Sequence, residues 1–235
     1  MKRFLLLLSV GTLCCGALQA KPKKPDVGEL ERKLETLDAE IAQTSLELNR
    51  MYWDSYLVLA RREHRVASMK DYPGVDIPSI RDTVPEIKAL QERWSECYEA
   101  WQSEVKTAPD YEELHREYQA VRNLPSDDPR VVKSKASYKA MYDSLWRCNP
   151  NYALAVKARY AAQFERDWAT LRHVVMWYRG QGREMPLGEI IPYKKQSDIR
   201  QEWPEVARLE SELSSLQAVR RQLLLQIQQL RYGVE

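Results

Sequence analysis

Between Val206 and Leu230, apolar residues recur at alternating steps of three and four, and this pattern constrains the fold more than any other feature. With Val206 at heptad position a, Leu213, Arg220 and Ile227 also fall at a, and Leu209, Leu216, Leu223 and Leu230 fall at d. A helix with such a stripe must pack along its length against another helix. The matching stripe lies at the other end of the chain, where Leu30, Leu34, Leu37, Ile41, Thr44, Leu48, Met51 and Ser55 repeat the same spacing. Antiparallel pairing of the two would set Leu30 opposite Leu230 and bring Arg220 close to Glu40 and Ile41. A charged residue at a single a position lowers stability and can set the register. Two Arg220 side chains would repel in a parallel in-register dimer, so the pairing is expected within one chain.

The chain opens with a basic Met1-Lys2-Arg3, a mostly apolar run from Phe4 to Leu18, and a small residue at Ala20. This is the form of a secretory signal peptide over residues 1–20, because the apolar run is too short to span a membrane. Lipid anchoring through Cys14 or Cys15 is the lesser alternative, since neither has the Leu and small residue that should precede a lipidated cysteine. The expected location is periplasmic or secreted, with no transmembrane segment in the mature chain. Lys2 and Arg3 leave with the signal, so the 36 basic residues fall to 34 and balance the 34 acidic ones. No basic footprint for nucleic acid remains.

Charged residues make up 30% of the chain and glycines number only 8, a composition that favours helix. The expected fold is all-α, an elongated helical bundle with long antiparallel coiled-coil helices at its N- and C-termini. Its first helix, within residues 21–71, should start near Asp26 and run to about Asp71, before Pro73-Gly74. Residues 72–203 form the central helical region. There, a Pro- and Asp-rich linker over 72–83 precedes a capping box, Thr83-Val84-Pro85-Glu86. Amphipathic helices then carry Ile87, Leu90, Trp94, Tyr98, Trp101 and Val105, next Tyr111, Leu114, Tyr118 and Val121, and next Val131, Tyr138, Met141 and Leu145. Asn149 and Pro150 should cap and open a further helix to Arg179. Residues 180–203, with three glycines and two prolines, read as a long loop, either a recognition segment or a plain connector. The C-terminal helix occupies 204–235.

Chemical motifs are sparse. The histidines are His64, His115 and His173, and only His115 has a glutamate three residues before it, Glu112. A di-metal carboxylate site in a bundle needs that motif twice, so Glu112 and His115 are expected on a solvated face. No phosphate loop, dinucleotide fingerprint or nucleophile elbow is present. The expectation is a protein without catalytic activity, metal or cofactor. Cys97 and Cys148 are the thiols left after signal cleavage, placed either to form a disulfide in an oxidising compartment or to pack as two small apolar groups.

Aromatic usage is skewed toward Trp and Tyr, with 7 and 13 against 2 Phe. Rings with a polar tip suit interfaces and sugar-stacking surfaces as well as half-buried helix positions. Most fall on the apolar helical faces. Trp53, Tyr193 and Trp203 fit a core least well and are the sequence candidates for a binding surface. Two functions follow as expectations. One is a structural or protein-interaction component of a cell envelope that self-associates or holds a protein partner. The other is a ligand- or glycan-binding, even glycan-acting, envelope protein that uses exposed aromatics and the 180–203 loop.

Overall fold

The computed structural model describes residues 26–66, 72, 74–187 and 191–233. The expected signal peptide, with Cys14 and Cys15, lies outside the described residues. The protein is an all-α helical bundle of eight helices, with no strand among the described residues. They are α1 Val27–Glu63, α2 Ile77–Thr83, α3 Pro85–Val105, α4 Tyr111–Val121, α5 Pro129–Cys148, α6 Pro150–Gly180, α7 Tyr193–Glu202 and α8 Pro204–Tyr232. Among the described residues none of these is long and apolar enough to cross a membrane.

Proline and short polar side chains start most of these helices. Asp76 accepts from the Ser79 amide at 3.2 Å, Asp128 from the Arg130 amide at 2.9 Å, and Asn149 from the Tyr152 amide at 3.1 Å. Each follows the expected chemistry, in which a side-chain oxygen takes up an amide that the first turn leaves unpaired. The Thr83 capping box does not form. The Thr83 hydroxyl donates to the Ser79 carbonyl inside α2, and α3 begins after Val84 with no side-chain cap. Residues 77–83 are therefore helix where a linker was expected.

Two further boundaries differ from the sequence expectation. Helix α1 ends at Glu63, well short of Asp71, with His64 in the left-handed region at φ 48° and the Arg65 amide bonded to the Ala60 carbonyl. This six-to-one closure usually places glycine at the left-handed position. The His64 ring meets the Phe164 ring edge-on at 5.2 Å, a tertiary contact that no local signal announces. The 180–203 segment is likewise not one loop, because residues 193–202 form α7.

Two compact units divide the described residues, one within 41–215 and one joining those up to 40 with those from 216. In the larger, α6 lies at the centre of the core. Leu171, Val174 and Val175 are almost fully buried, packed in one cluster with Tyr52, Trp53, Tyr56 and Leu59 of α1 and with Ile199, Val206 and Leu209. Side chains of this size each stabilise a fold by about 1.5–3 kcal/mol on burial. The Tyr52 hydroxyl of α1 donates to Glu210 of α8, and Arg62 of α1 makes a two-pronged contact with Glu202 at the end of α7.

In the smaller unit, Leu30, Leu37 and Ile227 are buried, whereas Leu230 stays 38% exposed. Arg231 pairs with Glu31 and Arg220 with Asp38, so the α1 and α8 segments of this unit are antiparallel. The register partner of Arg220 is thus Asp38, at 2.6 Å, and not Glu40. Asp38 and Glu40 flank the apolar seam on opposite sides. The guanidinium leaves the seam toward Asp38, while Glu40 lines an open groove with Val219 and Leu223.

Candidate functional site

Three helices of the larger unit contribute one stripe each to an aromatic groove. Helix α3 supplies Tyr98, Trp101, Gln102 and Val105, α4 supplies Tyr111, His115 and Tyr118, and α5 supplies Lys135, Tyr138, Lys139 and Tyr142. The spacing of three, four and seven puts each set on a single helical face. Together they enclose a cavity of about 500 Å³.

The rings form a connected array. Tyr98 lies 5.3 Å from Trp101, Trp101 is stacked on Tyr142 at 6.4 Å, Tyr142 adjoins Tyr138 at 5.9 Å, and Tyr138 meets Tyr118 edge-on at 5.6 Å. On the α4 wall, Tyr111 stacks on the His115 ring at 5.5 Å. Offset and edge-on ring pairs contribute about 0.5–1.5 kcal/mol each beyond their buried area, so the wall is preorganised. Beneath it, Val105, Ala108, Met141, Leu145 and Tyr152 form a second apolar cluster that anchors the three helices.

Polar groups line the rings. His115 Nδ1 and the Tyr138 hydroxyl share a hydrogen bond of 3.1 Å, and Gln102 Nε2 donates to the Tyr98 hydroxyl at 3.2 Å. Burial, together with the neighbouring Tyr111, Tyr142 and Tyr118 hydroxyls, pushes the Tyr138 hydroxyl up to about 12. Burial also raises that of Tyr142, so both stay protonated donors across the physiological range. Lys139 pairs with Asp143 one turn along α5. Among the described residues no Asp or Glu lines the groove. Behind Trp101, the Arg159 guanidinium lies over the ring at 4.1 Å, with its Nε buried and without a hydrogen-bond partner.

The sequence candidates are dispersed. Trp53 is only 1% exposed and sits in the main core, its Nε1 donating to the Met185 carbonyl at 3.2 Å, so it is no part of a binding surface. The polar tip that made it a surface candidate is satisfied internally. Trp203 is half-buried against the same core, and Tyr193, at the first position of α7, is 81% exposed. Cys97, half-buried on α3, and Cys148, exposed at the end of α5, are free thiols with no bridge between them. His115 faces the groove rather than the solvated side of α4. Among the described residues no group of histidines, cysteines and carboxylates is arranged to hold a metal.

The groove residues were visible in the sequence as apolar helical faces. Their site character was missed because tyrosines at helical spacing read as core. The usable signal was the pairing of tyrosine with lysine on α5, at 135, 138, 139 and 142, since a packing stripe does not need an ammonium on each turn.

Compared with known proteins, the chain matches over residues 27–234 a family model described as a domain of unknown function (DUF5039). No curated protein and no solved structure matches it.

Proposed function

The chain belongs to this family, and from the geometry of its own groove we propose that it is an exported, non-catalytic binding protein of a cell envelope that takes a saccharide between α3, α4 and α5. The observation that carries the reading is the ring-lined cavity with hydroxyls among its rings. Its volume of about 500 Å³ lies within the usual range for ligand pockets, and few polar groups converge on it. A sugar presents C–H faces that stack on aromatic rings and hydroxyls that need donors and acceptors. Tyrosine answers both needs with one side chain.

The reading is of binding rather than turnover because the groove offers stacking faces, neutral hydroxyls and ammonium groups. Most glycoside hydrolysis uses two carboxylates on either side of the scissile bond, and among the described residues neither Asp nor Glu lines this groove. Export rests on the residue 1–20 pattern and would place the groove where envelope and extracellular glycans occur. Screening the full exported protein on an array of envelope and extracellular saccharides is the test. Retention should be lost in Trp101→Ala and Tyr142→Ala variants whose circular dichroism stays helical. If the unmutated protein retains no saccharide, the reading fails.

A second reading, attachment to a protein partner or to another copy, is supported by α8. In the smaller unit Leu225 is 58% and Tyr232 72% exposed, and Val219 also faces solvent. At helical spacing Leu225 and Tyr232 share one face of α8, and a contiguous exposed apolar patch marks an interaction surface. Light scattering on the purified protein and pull-downs from native envelopes would reveal an oligomer or a stable complex. A lone monomer without partners would remove this reading.

A further inference from the structure

The charges around the groove narrow what it can hold. Lys135 and Lys139 stand one turn apart on α5, on the face that also carries Tyr138 and Tyr142. Asp143 engages Lys139, whereas Lys135 is exposed and has no ion-pair partner among the described residues. Arg159 adds a third cation behind Trp101. Among the described residues no carboxylate is in the lining, so positive charge faces the cavity uncompensated on the Lys135 side.

This pattern distinguishes between ligand classes. Aromatic cages that take quaternary ammonium ions use ring faces and need negative or neutral rims, so two lysines count against a cationic guest. A fully apolar guest would cover the Tyr111, Tyr118 and Tyr142 hydroxyls without offering them hydrogen-bond partners. A neutral sugar would satisfy the rings and hydroxyls but leave Lys135 unused.

We propose that the groove selects an acidic saccharide, its sugar ring set against the aromatic rings of the lining and its carboxylate held by the Lys135 ammonium. The proposal rests on the saccharide reading and adds the charge and its anchor. Lysine is a compact, flexible point charge, suited to a carboxylate presented at variable angle from a sugar ring. Because Lys135 is exposed, its contribution is screened by salt.

Calorimetric titration of the full exported protein with paired ligands tests the proposal. Glycosides of glucuronate, galacturonate, N-acetylneuraminate and N-acetylmuramate are each compared with their methyl esters, and inorganic phosphate is added as a competitor. At least one acid should bind about threefold or more tightly than its ester, as a solvent-exposed ion pair allows, and the advantage should shrink as salt rises. Lys135→Ala should bring the acid's affinity down to that of its ester, and Lys135→Arg should restore most of the difference. Equal binding of every acid and its ester would overturn the acid preference while leaving the saccharide reading in place. If neither acids nor esters bind, both fall. Displacement by phosphate at the same affinity would make Lys135 a bare anion contact and also overturn the proposal.

Discussion

Trp53 shows how one residue's role depends on its partner. Its ring lies 5.8 Å from Tyr56, nearly perpendicular, and its Nε1 has an acceptor in the Met185 carbonyl. Trp53→Ala should cost about 3–5 kcal/mol, from lost burial and the cavity left behind. Trp53→Phe should keep most of the packing and lose one hydrogen bond to the Met185 carbonyl, which retains Asn49 as a donor, costing about 0.5–1.5 kcal/mol. Urea unfolding of the two variants checks both figures, and a core loss in either should leave saccharide affinity per folded molecule unchanged.

A second residue-scale case is Asp167. It accepts from Arg166, which is buried over the Trp94 ring at 4.3 Å, and from Arg81 at 3.0 Å, so one carboxylate serves two guanidinium groups. Burial and the nearby Arg166 charge lower the affinity of Arg81 for its proton, while Asp167 opposes that. Asp167→Asn leaves two cations facing each other without a counter-charge. It should cost about 3–5 kcal/mol, as breaking a buried pair does. Chemical denaturation measures it, and a change below about 1 kcal/mol would mean that the two arginines find water instead.

At the scale of the element, the Asn149 junction ties three helices together. Its Oδ1 caps α6, and its Nδ2 donates to Glu104 at 3.0 Å near the end of α3. The junction follows α5 directly, so the cap also holds the turn between two walls of the apolar cluster beneath the groove. Asn149→Ala should destabilise by about 1–2 kcal/mol, at the upper end for a lost cap. Asn149→Asp should keep the cap but set a second carboxylate against Glu104. Thermal unfolding should therefore rank the wild type above both variants. The Arg220–Asp38 pair is of another kind, with both side chains more than two-fifths exposed. Arg220→Ala should change stability by no more than about 1 kcal/mol, measured by the same unfolding.

For the whole molecule, pH provides a readout of the tyrosine-rich interior. A tyrosine whose folded value is raised holds its proton more tightly in the native state than in the unfolded chain. Its stabilising contribution is complete below the unfolded value near ~10 and is lost as pH rises through the folded value. Tyr138, pushed to about 12 by burial, and Tyr142, raised by burial, give this window. The buried Tyr52 and Tyr72 are raised as well. Stability should therefore decline between about pH 10 and pH 12, with the tyrosinate absorbance appearing together with the loss of helical circular dichroism. Ionisation of all thirteen tyrosines before any helix is lost would contradict this placement.

Much of the fold could be read from local chemistry. Helix content, the antiparallel terminal stripes, the Asn149 cap and most helix bounds follow from three-four spacing and from prolines and short polar side chains, which act over one or two turns. What could not be read depends on groups far apart in the chain. The end of α1 at His64 is coupled to Phe164, about a hundred residues away, and the burial of Trp53 to Met185. Asp38 rather than Glu40 meets Arg220 because the two acids flank opposite sides of one seam. The groove is the same kind of case. Three stripes of tyrosine, tryptophan and lysine look like three core faces until α3, α4 and α5 are brought together around an opening. Periodicity tells which face of a helix is apolar, but only the packing of the other helices says whether that face is covered or lines a cavity.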